Sequence, residues 1–422
     1  MASQKKAQKK LKGSKRPDDG SADFGDSIRL GPEGDNLMKL AGGIGIGALV
    51  VSIGLGASAG DGFKQFLHSY LVAFMWGLSI SLGALWWVTL QHLVNAKWSI
   101  VVRRLGELLA QGLPLLLVLS LPILVTVVRH DDVLFPWLNH DLMHDDHVMH
   151  GKAPYLNVPF FLARALIYFG FWSLLARFFL KRSVDQDVSG AQSFLPTMAK
   201  AAPPSMIAIA LTLTFAAFDF IMTLDPLWFS TIFGVYYFAG CVLAVHSTMV
   251  LALLWMQTHG RLVKSVTVEH YHDIGKMMFA FTVFWAYIAF SQFLLIWYSA
   301  IPEESNWYYL RFQDEWLVIS YFQLVGHFVI PFLFLLSRHT KRNPKILAIG
   351  ATWILVVHFI DIHWLVMPNL HRAGFSFHPL DITTLLAVGG LLVAAIVFYA
   401  RKVNLVPTKD PRLEQSLAFE NI

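Results

Sequence analysis

The sequence predicts an all-α polytopic membrane protein with about ten transmembrane helices. Three observations carry that reading. The first is composition: 55% of residues are hydrophobic and only 14% are charged, whereas soluble domains carry about 25% charged residues. The second is length. Ten apolar segments each approach or exceed the roughly 20 residues needed to cross a hydrocarbon core about 30 Å thick. The third is continuity. Lipid offers no partners to an open backbone, so a spanning chain is a helix or a closed barrel. Barrel strands alternate apolar and polar residues, and these runs do not.

The segments fall near 37–57, 67–94, 106–128, 158–180, 203–224, 227–256, 274–298, 316–337, 346–366 and 381–400. Ahead of them, residues 1–36 are Lys-rich and then Gly/Asp-rich, the pattern of a disordered basic tail. The first segment is Gly-rich, and Gly43/Gly47 has the GxxxG spacing that permits close helix contact. Ala57-Ser58-Ala59 resembles a leader cleavage site. The apolar run before it is too long for an ordinary leader, so a retained helix is expected. The second segment ends with Gln91 and His92, the third opens with Glu107, and the fourth carries Arg164. The fifth sets Thr212, Asp219 and Thr223 on one stripe. The sixth holds His246 and the chain's single cysteine, Cys241. The seventh begins with Asp273 and Lys276 and carries Tyr287, Ser291, Gln292 and Tyr298 further along. The eighth holds His327. The ninth pairs His358 with Asp361 at i, i+3 and turns His363 well away from His358. The tenth opens with Asp381, and residues 401–422 read as a second tail.

Lys and Arg alternate between loops. The N-terminal tail has eight, counted to Arg29, and the next loop has Lys64 alone. The pattern continues along the chain, with basic loops around Arg103-Arg104, Arg177–Lys200, Arg261-Lys264, Arg338–Lys345 and Arg401–Arg412. The positive-inside rule therefore puts both termini in the cytoplasm. Trp137, Trp228, Trp307 and Trp316 fall near outer segment ends, as an aromatic belt would. The outer loops at 129–157 and 299–315 are acidic and aromatic, which suits contact with another protein or partial self-packing.

An ionisable group inside a spanning helix costs about 2.5–3.5 kcal/mol on insertion scales and is a functional hypothesis by default. Topology sorts these groups by depth. His92, Glu107, Asp273 and Lys276 lie toward the cytoplasm, with His246 between there and the midplane. His327 and His358 sit near the middle, and Arg164, Asp219, Asp361, His363, Gln292 and Asp381 lie toward the outside. This depth order resembles two polar half-routes for protons, since His, Asp and Glu both accept and release them. The competing reading is structural: Arg164 paired with Asp219 or Asp361 would hold helices together, and the groups at segment ends would be solvated.

One cysteine excludes a disulfide framework, a CxxC pair and a four-Cys iron–sulfur cluster within this chain. No phosphate-binding loop, dinucleotide fingerprint or GxSxG motif occurs, and the charge of +5 is concentrated in the N-terminal tail, so nucleic acid is not an expected partner. The His/Asp-rich stretch from His130 to His150 matches no standard metal spacing. The pairs His246/His259 and His358/His371, each 13 apart, have the spacing of a bis-His haem helix pair, but His259 and His371 lie at or beyond helix ends.

Three stretches resemble a known family: SYLVAFMWGLSISLGALWWVTLQHLVNAKWSIVVRRLGELL (69–109), His150 to Phe161 with its PYLN core, and FDFIMTLDPLWFSTIFGVYYFAGCVLAVHSTMVLALL (218–254). They look like the second NrfD-like membrane subunit of bacterial alternative complex III, a quinol:cytochrome c oxidoreductase. The resemblance covers most of residues 60–400. It implies two four-helix bundles, helices 2–5 and 6–9, flanked by helices 1 and 10. It also implies residence in the bacterial inner membrane. Expected partners are a paralogous NrfD-like subunit, an iron–sulfur subunit, multihaem cytochrome c subunits and, in some assemblies, a terminal oxidase, alongside membrane lipids. Quinol, iron–sulfur clusters and c-type haems would reside in those partners, with no cofactor in this chain. The sequence departs from the quinol-handling paralogue at Ser81-Leu82-Gly83-Ala84-Leu85, where Leu82 stands in place of a His. The Asp219 region and Glu107 after Arg103-Arg104 match the family pattern. The expected role is therefore scaffolding plus proton half-channels. An autonomous proton-coupled transporter and a purely structural anchor are the alternatives.

Overall fold

A computed structural model describes residues 27–145 and 147–421. Among the described residues, ten helices are long and apolar enough to span a membrane: α1 (Pro32–Ser58), α2 (Lys64–Leu93), α3 (Ile100–Val128), α4 (Val158–Ser189), α5 (Phe194–Leu224), α6 (Phe233–Thr258), α7 (Val268–Ser299), α8 (Asp314–Leu336), α9 (Pro344–Asn369) and α10 (Pro379–Ala400). Among the described residues there is no strand, only an isolated bridge between Ser27 and Arg261. The chain is thus an all-α polytopic membrane protein.

Several ends are set by local chemistry. The Asn157 side chain accepts from the Phe160 amide at 3.0 Å, with Pro159 in the first turn of α4. Asn343 caps α9 in the same way ahead of Pro344. Proline suits a helix's first turn because the amide it lacks would be unsatisfied there. Gly190, at φ +71°, ends α4 in the left-handed conformation that glycine adopts without a Cβ clash. Helices α3, α4 and α5 run past the expected spans, starting at 100 rather than 106, ending at 189 rather than 180, and starting at 194 rather than 203. These extra turns carry the charges Arg103 and Arg104, Lys181, Arg182, Asp185 and Asp187, and Lys200, and a span bounded at charged residues leaves them out.

Helices α2 to α5 close one four-helix bundle and α6 to α9 a second, and α2 meets α6 and α9 along their common interface. Helix α10 lies against α2, and α1 lies against α10 on that flank. A Cβ on Gly45 would stand 2.7 Å from the Leu391 amide nitrogen, and one on Gly390 would stand 2.7 Å from the Ala41 carbonyl oxygen. The α1 contact face therefore runs through Gly45. The expected Gly43/Gly47 face is overturned, because both glycines look onto open space. The GxxxG spacing is present, but its azimuth points away from α10.

The two described ends of the chain lie on one face, here the termini face, where the Leu405 amide donates to the Ile28 carbonyl at 2.7 Å. Residues 27–36 depart from the expected tail. Leu262 donates to the Ser27 carbonyl, Glu33 pairs with Arg261 at 2.7 Å, and α1 starts at Pro32. That expectation for residues 1–26 lies outside the described residues. The C-terminal tail is likewise a folded latch. Asp410 meets Arg103 at 3.0 Å, and the Ser416 hydroxyl donates to the Trp98 carbonyl at 2.6 Å. Burial works against the Asp410 anion, but hydrogen bonds from Arg412 and the charge of Arg103 outweigh it and lower its pKa to about 2. The latch carboxylate is therefore ionised throughout the neutral range.

The expected aromatic belt does not form as such. Trp137, Trp228, Trp307 and Trp316 are all buried within the protein. Trp228 stacks on Trp307 with centroids 4.4 Å apart, and Trp316 donates to the His371 carbonyl. The loops on this face pack these rings inward, a tertiary event that segment ends do not reveal.

Candidate functional site

The two bundles meet around a buried polar cluster. His358 and Asp361 come from α9, Ser79 from α2, Tyr236 from α6 and His327 from α8. Each of these titratable side chains is at most 4% exposed. The Ser79 hydroxyl lies 2.9 Å from His358 Nε2 and 2.7 Å from the Trp76 carbonyl. When its single proton goes to that carbonyl, Ser79 accepts from Nε2 and leaves His358 Nδ1 as a bare acceptor. Gly240 makes room for this ring, since a Cβ there would stand 2.5 Å from His358 Cε1. The His327 and His358 rings are 6.3 Å apart. His327 Nδ1 lies 3.9 Å from Asp361 Oδ2, and the Tyr236 hydroxyl donates to Asp361 Oδ1. Neither ring nitrogen of His327 has a hydrogen-bond partner among the described residues. The ring rests instead on Trp285 with centroids 3.8 Å apart. A π-helical segment, Gln323–Val329, interrupts α8 here and carries His327. Such segments are rare and frequently mark functional sites.

A polar line descends from the face opposite the termini. Its mouth is a cavity of about 890 Å³ lined by Lys64, His68, Asp132, Glu315, His371 and Arg372. His371 Nε2 lies 2.7 Å from Gln65 Oε1, and the Gln65 amide donates to Ser69 Oγ at 3.1 Å. Ser69 donates to Asp381 Oδ1 at 2.6 Å, and His363 Nε2 lies 3.5 Å from Asp381 Oδ2. Burial holds His371 below the ordinary histidine pKa, so its ring is neutral at pH 7.

On the termini face, Glu107 accepts from Arg103 at 3.3 Å and Arg104 at 2.9 Å. Arg104 also binds Asp187 at 2.8 Å. Deeper in, His92 stacks on Phe179, and His246 Nδ1 is 2.7 Å from the Val242 carbonyl. His92 Nε2, His246 Nε2, Gln91 Oε1 and the Gln186 amide have no partner among the described residues. Buried polar atoms of this kind call for ordered water.

Not all the expected residues converge. Asp273, itself buried, pairs with Lys276, which is 48% exposed, at the termini end of α7 and away from the centre. His363 turns from the centre toward Asp381 and Trp316. Arg164 grips Asp219 through two hydrogen bonds of 2.9 and 2.8 Å, Tyr168 adds a third at 2.9 Å, and the guanidinium lies over the Tyr155 ring. All three of these hydrogen bonds to the carboxylate come from α4 and hold it to α5. Removing one partner of a buried pair typically costs about 3–5 kcal/mol, while apolar replacement of both is tolerated. Asp219→Asn is expected to cut the folded yield severalfold, and the double variant Arg164→Leu/Asp219→Leu to restore most of it. Size-exclusion of the detergent-extracted protein reads both. Normal yield for Asp219→Asn would remove this structural assignment.

The haem pairing does not form. His259 follows α6 on the termini face, and His371 follows α9 on the opposite one. Among the described residues no three His, Cys, Asp or Glu side chains converge as a metal site. Sequence reasoning missed Ser79, Tyr236, Gln65, Ser69 and Gln323, because polar uncharged residues in spans are common and only their neighbours distinguish these.

Fold and site together define a polytopic helical membrane protein with a titratable centre shared by two bundles. Neither protein-family models nor curated proteins yield a match to this chain.

Proposed function

We propose that this chain is a proton-conducting membrane subunit of a respiratory quinol:electron-carrier oxidoreductase of the alternative complex III type. In this reading quinol is oxidised in a paralogous NrfD-like subunit. Electrons leave through iron–sulfur and multihaem cytochrome c partners, and this chain scaffolds them in the bacterial inner membrane with both termini cytoplasmic. The observation that carries the proton reading is the His358–His327–Asp361–Tyr236 cluster at the bundle interface. Polar lines approach it from both faces, through Glu107, His92 and His246 on one side and His371, Gln65, Ser69 and Asp381 on the other. The alternating basic loops and the resemblance over residues 69–109 and 218–254 support the complex and its orientation. The structural-anchor reading draws support from one place, the fully paired Arg164–Asp219.

Purification through a tag on this chain in mild detergent tests the assignment. The expected result is c-type haem absorbance co-eluting with an iron–sulfur protein and a second ten-helix protein. A lone, colourless, stable chain would overturn it and favour an autonomous transporter.

A further inference from the structure

Residues 404–421 follow the last spanning helix and cross the termini face as a strap that touches both bundles. The Asn404 carbonyl accepts from Arg104 at 2.9 Å, and Asp410 accepts from Arg103 at 3.0 Å, both on α3. Lys409 donates to the Val188 carbonyl at 2.8 Å, at the end of α4. The Ser416 hydroxyl accepts from the Val101 amide at 3.2 Å, and the Ser416 carbonyl lies 3.2 Å from His270 Nε2 on α7. Asn421 accepts from Lys276 at 2.8 Å, further along α7.

Under the strap the chain is polar and incompletely paired. Arg103 and Arg104, each gripped by the strap, are the two residues that donate to Glu107. At the same end of the bundle, Gln91 and His92 of α2, Ser99 before α3 and Gln186 of α4 are all buried. Gln91 Oε1, His92 Nε2, Ser99 Oγ and both amide atoms of Gln186 have no partner among the described residues. His92 stacks on Phe179, two turns before Gln186 on the same face of α4, so these groups share one place. Buried polar atoms need partners, and so many without one at a single bundle end call for water.

We infer that residues 404–421 are a lid that seals a hydrated polar chamber at the termini end of the α2–α5 bundle. The strap is the end of the chain, so it can lift while every spanning helix stays packed. Terminal segments held by hydrogen bonds are among the elements that open at least cost. Lifting also frees both arginines that hold Glu107, which joins solvent access to the setting of a buried carboxylate. The lid stands on these contacts alone. Its use as a gate for protons rests on the proposed function.

The test uses the full chain, with whatever partners co-purify, in lipid nanodiscs. Cys241→Ala removes the native thiol, and Ser99→Cys or Gln186→Cys places a reporter under the strap. The probe is a positively charged methanethiosulfonate, which reacts from water. Labelling is expected to be slow with the strap intact. Asp410→Ala and Ser416→Ala each loosen the strap and should speed it about tenfold or more, the factor that one or two lost hydrogen bonds represent. Ser416→Ala strands no buried charge, so it carries the test where Asp410→Ala fails to fold. Lys402→Ala, ahead of the strap, is the control and should leave the rate unchanged. Rapid labelling of the intact chain, or an unchanged rate in both strap variants, would overturn the lid. Proton uptake by the same variants in proteoliposomes is read separately. Faster labelling with unchanged uptake supports the lid and takes the proton route off the termini face.

Discussion

Replacing Asp361 with Asn is expected to abolish proton movement through the chain while leaving its assembly intact. Asn has nearly the same shape and still accepts the hydrogen bond from Tyr236, so packing between α6 and α9 survives. What it loses is the ability to take up and release a proton 3.9 Å from His327. Positioned acid–base groups contribute about 10²–10⁴-fold to proton-transfer steps, so a loss of at least a hundredfold is the expected magnitude. Ser79→Ala should cost less, because it removes only the contact that orients His358. The measurement is proton uptake by proteoliposomes, or proton-to-electron stoichiometry in the assembled complex, normalised to the amount of folded protein. Full flux in Asp361→Asn would remove the central cluster from the pathway. Lost assembly with normal turnover per remaining complex would make Asp361 a structural residue instead.

Much of this arrangement was legible in the chain, and the parts that were not share a cause. Ten spans follow from apolar length alone, since the cost of an open backbone in lipid leaves few alternatives. The i, i+3 pairing of His358 with Asp361, and the rotation of His363 away from them, follow from helical periodicity and are what the fold displays. Periodicity gives relative azimuth within one helix and nothing about its neighbours. That is why Gly43/Gly47 was misread as the contact face when Gly45 makes the contact. It is also why Ser79 and Tyr236 went unnoticed, as each joins the cluster from a different helix. The C-terminal latch was invisible for a similar reason. Asp410 and Ser416 find their partners Arg103 and Trp98 about 300 residues upstream, and no local pattern encodes such a pairing. Arg164 with Asp219 was one of two pairings the depth order allowed, and geometry selects it over Arg164 with Asp361.

The interface between the bundles makes the second large prediction, at Gly83. A Cβ at this position would stand 2.2 Å from the Cys241 carbonyl oxygen and 2.8 Å from its carbonyl carbon. Both are backbone atoms, so no side chain can swing aside, and α2 and α6 would have to separate. They are also tied by the Tyr237 hydroxyl, which donates to the Met75 carbonyl at 2.7 Å, so separation loses that bond as well. Overpacking a closed interior costs about 1–3 kcal/mol, and a clash against rigid backbone belongs at the upper end. Gly83→Ala is therefore expected to lower thermal stability markedly, and Gly83→Leu to abolish folded protein. Gly47→Ala is the matched control. It faces open space, and alanine is favoured over glycine in a helix by about 0.5–1 kcal/mol, so it should be neutral or slightly stabilising. Cys241 supplies the readout. It is the only cysteine in the chain and is fully buried, with its backbone carbonyl against Gly83, so a thiol-reactive dye reports the loosening of α6 from its neighbours. Labelling of Gly83→Ala should begin several degrees below that of Gly47→Ala. Equal onset temperatures would mean that α2 and α6 do not pack backbone to backbone, and the shared centre built on that contact would lose its support.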